Sequence, residues 1–198
     1  MPPAVDVQRS LAASWRMMTG RADAVRLHDL SVDGFWNSFF AIAVALPPLT
    51  VAWVASVDSI VIQGDGFASR LSAVLRLALV DLLVWVLPLA AFAAAAPLAG
   101  LQSRFVHYVV ATNWGGAIFA WLMLPPSLIW MVTGELSDLV AFLSLAIFGA
   151  SMVLSWRLTH AALGRGPAIA TAVFFAMLGF SFLTLFALQS LLGLSGSA

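Results

Sequence analysis

The chain has 198 residues, 62% of them hydrophobic and only 9% charged, with a net charge of zero. Soluble domains carry about a quarter charged residues, so this composition cannot furnish a water-facing surface, and an integral membrane protein is the class that remains. With no cysteine, the chain has no disulfide, thiolate metal site or thiol chemistry; its basic residues are all arginines, which with the abundant alanine suggests a GC-rich bacterial genome.

Residues 1–34 carry four arginines and four aspartates and no apolar run of signal-peptide length. Leu11, Trp15, Met18, Ala22 and Val25 recur at spacings of four and three, one face of a helix. Arg9, Arg16 and Asp23 recur every seven residues on another face. This pattern predicts a cytoplasmic amphipathic helix that lies on the leaflet through Arg9, Trp15, Arg16 and Arg21. Packing of the apolar face on the protein's own membrane body, or on a partner, is the alternative. Gly20 is expected to bend or interrupt the helix.

Five segments reach the ~20 apolar residues that a helix needs to cross hydrocarbon: 36–57, 72–96, 107–132, 139–156 and 168–192. The predicted fold is therefore an all-α integral membrane bundle of five transmembrane helices with an N-terminal amphipathic helix. Its parts are a cytoplasmic segment (1–34), a transmembrane domain (35–193) and a short exported tail (194–198). Seven arginines fall on the side of the N-terminus and two, Arg70 and Arg76, on the other, which predicts a cytoplasmic N-terminus and an exported C-terminus. Small residues at Ala146 and Ala150, Ser151 and Ser155, Ala172 and Ala176, and the alanines before Pro97, are expected at helix contacts.

The first and third spans each carry a doubled proline, Pro47–Pro48 and Pro125–Pro126, with a tryptophan eleven residues upstream, Trp36 and Trp114. Proline lacks an N–H and crowds the carbonyl one turn back. The carbonyls of Ala43, Val44, Trp121 and Leu122 are thus expected to seek donors outside their own helix, since hydrocarbon offers none. Asp81, near the middle of the second span, is the one acid at mid-membrane. A carboxylate there costs roughly 2.5–3.5 kcal/mol, so it must face inward, be neutral or be paired. A protonated Asp81 at the depth of Pro47–Pro48 could donate to a freed carbonyl. With Asn113 in the third span, Asp81 and the four prolines form a candidate site that is either a structural hydrogen-bond set or a place for a proton, cation or substrate.

No nucleophile elbow, phosphate loop or dinucleotide motif occurs, and His107 has no second ligand at metal-binding spacing. Neither a metal, a cofactor nor an enzymatic activity is expected, and nothing points to nucleic acid. Five spans, a cytoplasmic leading segment and a very short exported tail make the chain similar to the Yip1-like family of membrane proteins over residues 30–192. The family's glycine–proline signature is missing; Asp29 to Ser38 reads DLSVDGFWNS. The resemblance implies five-span topology and transfers no site residue. The expected function is that of a bacterial inner-membrane protein acting by binding: a scaffold, assembly factor or accessory subunit whose partners are lipids, other membrane proteins or its own copies. The alternative is a small transporter or channel that uses Asp81 and the broken helices.

Overall fold

Backbone polar groups in hydrocarbon must find partners within their own segment, and long apolar runs meet that demand by becoming helices. The computed structural model, which describes residues 1–57 and 66–194, has five helical stretches long and apolar enough to cross a membrane: Val32–Val57, Phe67–Ala95, Gln102–Thr133, Asp138–Leu163 and Pro167–Leu191. Among the described residues the elements are α1 (Ala4–Met18), α2 (Val32–Ser38), α3 (Phe40–Val57), α4 (Phe67–Ala95), α5 (Phe105–Leu122), α6 (Leu124–Thr133), α7 (Asp138–Leu163) and α8 (Pro167–Leu191). The first span is α2 plus α3, and the third is α5 plus α6. Most of the connection after the first span, residues 58–65, and the last four residues of the predicted exported tail lie outside the described residues.

Each helix starts where chemistry lets it. Ser31 and Ser137 cap α2 and α7 by accepting from the Gly34 and Val140 amides at 3.1 and 3.4 Å, which satisfies one orphan N–H apiece. The opposite dipole end of α8 is met by Arg76, whose guanidinium donates to the Leu192 carbonyl at 3.1 Å, the favourable sign for a cation at a helix C-terminus. The fourth span was expected to stop at Trp156, before Arg157. α7 continues to Leu163, because a helix can run on past the hydrocarbon once its groups bond internally.

α5 packs on α3 and α7, α8 on α4 and α7, and α3 on α4 and α6; α4 meets α5 through large side chains, Trp85 reaching Asn113 and Phe92 reaching Tyr108. Close approach at α5 depends on Gly115 and Gly116. A β-carbon on Gly115 would stand 2.5 Å from Leu158 Cδ2, and one on Gly116 would stand 2.8 Å from the Trp85 ring. Small residues let helices gain van der Waals contact, which is what holds them together where lipid removes the hydrophobic drive. Of the expected small-residue pairs, Ser151 is buried and Ser155 half-buried, while the alanine pairs lie outward. Ala146, Ala150, Ala172 and Ala176 are exposed, and Ala172 and Ala176 line a shallow groove with Ala91 and Ala95.

α1 ends at Met18, and Gly20, at φ 107°, turns the chain into a 3-10 turn over Ala22–Leu27. The apolar face predicted to run from Leu11 to Val25 is therefore cut in two. Its packing edge is also rotated: Ser10, Ala13, Ser14, Met17 and Met18 are buried against α5, α7 and the 3-10 turn. Trp15 is left 45% exposed, with Arg9, Arg16 and Arg21 solvent-side. Arg9 holds Asp6 at 2.7 Å in an exposed pair, which contributes little to stability.

Candidate functional site within the bundle

Tryptophan brings an N–H that must find an acceptor wherever water is absent, and four indoles in the spans do so. Trp53 of α3 donates to Asp81 Oδ2 of α4 at 2.7 Å. Trp85 of α4 donates to Asn113 Oδ1 of α5 at 2.9 Å. Trp121 of α5 donates to the Val44 carbonyl of α3 at 3.0 Å, and Trp156 of α7 donates to Thr171 Oγ1 of α8 at 2.9 Å. Every one of these bonds ties two different helices.

The partner of Asp81 thus differs from the one its depth suggested. Its carboxyl accepts from an indole, and the carbonyl that Pro48 frees on Val44 is met by Trp121. The two proline pairs also do unlike things. Pro47 and Pro48 sit inside the continuous helix α3. Pro125 and Pro126 occupy the first turn of α6, where a missing N–H leaves no bond unmade. Trp36 is 67% exposed while Trp114 is 3% exposed, so the sequence echo is not a structural repeat.

Asn113 is a buried polar node between spans. Fully buried, it accepts from Trp85 and donates through Nδ2 to Ser38 Oγ at 2.9 Å. Ser38 passes the chain on to the Phe35 carbonyl at 2.6 Å. Three spans meet at this amide.

A second node ties α1 to the bundle. The Ser14 hydroxyl donates to the Ala111 carbonyl at 3.2 Å, and its oxygen lies 3.2 Å from His28 Nε2. Because that hydroxyl proton is already committed, Nε2 carries the hydrogen and donates to Ser14, which leaves Nδ1 bare. Nδ1 is buried without a partner, and burial pushes His28 down to about 4 from an ordinary 6.5.

Between α4, α5, α7 and α8 lies a partly open cavity of about 260 Å³. Trp85, Asn113 and Gly116 form one wall, Ser155 and Thr159 another, and Ser181 reaches in from α8. No charged residue lines it. Asp81 stands one helical turn from Trp85 on α4 but outside the lining, as do all four prolines. Of the candidate site residues picked from sequence, only Asn113 belongs to the cavity. Sequence reasoning passed over the indole donors Trp53, Trp85, Trp121 and Trp156, and Ser14, Ser38 and His28; the signal for these indoles was there, since an indole within an apolar run needs a partner.

These features define an all-helical protein with five helices long and apolar enough to span a membrane, built around an uncharged interhelical cavity. No family model, curated protein or solved structure matches the chain. The resemblance to the Yip1-like family thus has no support from these comparisons, and nothing functional is carried from it.

Proposed function

We propose that this chain is a bacterial inner-membrane protein, N-terminus cytoplasmic and C-terminus exported, that acts by binding. Its partners would be membrane lipids, with a role as scaffold, assembly factor or accessory subunit toward other membrane proteins. The observation that carries this reading is the uncharged cavity between α4, α5, α7 and α8. Ligand sites are concave and mainly apolar, with a few polar groups to fix orientation, and this cavity has that make-up. The exposed edge of α1, with Trp15 and Arg16, and Arg21 just beyond it support contact with the cytoplasmic leaflet. Native mass spectrometry after exchange into fresh detergent tests the reading. A lipid should remain bound to the wild type and be held more weakly by Val84→Phe, which narrows the cavity; a wild type stripped of all lipid would overturn it.

A small transporter is the second reading, and one observation favours it: a mid-span carboxyl, the fifteenth of 29 residues of α4, stands a single turn from the cavity wall. Liposomes with a pH-sensitive dye inside test it. Wild type should carry protons that Asp81→Asn does not, and equal traces from the two would end this reading.

A further inference from the structure

Hydroxyl groups in membrane helices usually fold back on the carbonyl one turn earlier. Thr50, Thr112, Ser127 and Thr133 do so here, at 2.7 to 2.9 Å. Along the boundary of α7 and α8 the pattern fails. Ser155 and Ser181, which both line the cavity, make no hydrogen bond among the described residues, and neither does their neighbour Thr184. Ser151, one turn from Ser155, is 7% exposed with its hydroxyl unpartnered. In hydrocarbon an unpaired hydroxyl is unfavourable. Four on one seam, two of them in a cavity wall, mark a place where a polar group from outside the chain completes the set.

The lining decides which polar group. With no charge in the wall, a phosphate or an ion would be stranded there. A file of water is poorly served too, since each buried water needs two to four polar partners and Val84, Phe119, Met152 and Phe174 fill much of the surface. A hydroxyl or carbonyl on an apolar chain satisfies both halves of the wall. We infer that the cavity takes an uncharged lipid, one alkyl chain bearing a hydroxyl or ester group, with that group held by Ser155 and Ser181. This rests on the binding reading above and specifies its ligand.

The purified protein in detergent, titrated with monoolein or with phosphatidylglycerol and followed by native mass spectrometry, tests the inference. Wild type should bind one monoolein. Ser155→Ala with Ser181→Ala should weaken it roughly tenfold, the loss of two modest hydrogen bonds. Thr50→Val, which removes a hydroxyl bonded elsewhere, should leave binding unchanged. Saturable binding of phosphatidylglycerol but not monoolein would overturn the inference and keep the binding reading. Equal monoolein affinity in wild type and the double variant, or equal loss with Thr50→Val, would also overturn it. Retention of no lipid at all would overturn both.

Discussion

The indole of Trp121 reaches from the third span to the Val44 carbonyl of the first, 3.0 Å away, at the place where Pro48 has removed the amide that would otherwise bond it. A helix breaker in one span and a tryptophan in another are parts of the same bond. Trp121→Phe should lower stability by about 1 kcal/mol, in the range of interhelical hydrogen bonds in membranes. Adding Pro48→Ala returns the amide to α3 and should recover most of that loss. Thermal unfolding of the four proteins in one detergent measures the coupling. Additive effects would show that the bond contributes nothing.

Asn113 holds Trp85 and Ser38 together, so its replacement breaks two interhelical bonds, where Ser38→Ala breaks one, to Asn113, besides the local bond to the Phe35 carbonyl. Asn113→Leu should cost about 2 kcal/mol and Ser38→Ala about half of that. If the same unfolding assay finds Ser38→Ala the more damaging, the ordering argued here is wrong.

Stability should depend on acid through His28. Its folded value, about 4, lies below its ordinary 6.5, so between those values the unfolded chain binds a proton that the folded one refuses. Stability contributed by the neutral ring is complete above 6.5, falls as pH drops toward 4, and is flat below. The total is at most about 3 kcal/mol. The new proton on Nδ1 would be buried with no acceptor, so α1 should loosen first. His28→Gln should flatten this part of the profile, and an unchanged slope between pH 6.5 and 4 in that variant would exclude His28 as its source.

The proposed orientation, N-terminus cytoplasmic and C-terminus exported, rests on seven arginines against two. A reporter after Ala198 should be active only in the exported compartment and one at Met1 only in the cytoplasm. Both ends on one side would contradict an odd number of spans.

The five spans were legible because one property, sustained hydropathy, sets both membrane crossing and helix formation. What hydropathy does not encode is rotation about each helix axis. Asp81 and Asn113 stood out as polar residues in apolar runs, yet their partners Trp53 and Trp85 are each 28 residues away, and which indole meets which acceptor depends on how the helices turn toward one another. The same ignorance misassigned the alanine pairs: Ala146 and Ala150 have packing spacing but face outward. For α1 the periodicity marked a helix. The buried edge shifted to Ala13, Ser14 and Met17 because Ser14 and Met18 find partners on α5 that the leaflet would not provide.

The most direct test of the central claim, that this bundle receives a lipid between α4, α5, α7 and α8, is photolysis of a diazirine-bearing alkyl glycerol in membranes holding the full chain, with adducts mapped by peptide mass spectrometry. Adducts are predicted on Met152, Phe174 and Met177 in the cavity wall, competed away by excess monoolein. Adducts confined to outward residues such as Phe142, Leu183 and Phe186, indifferent to monoolein, would contradict it.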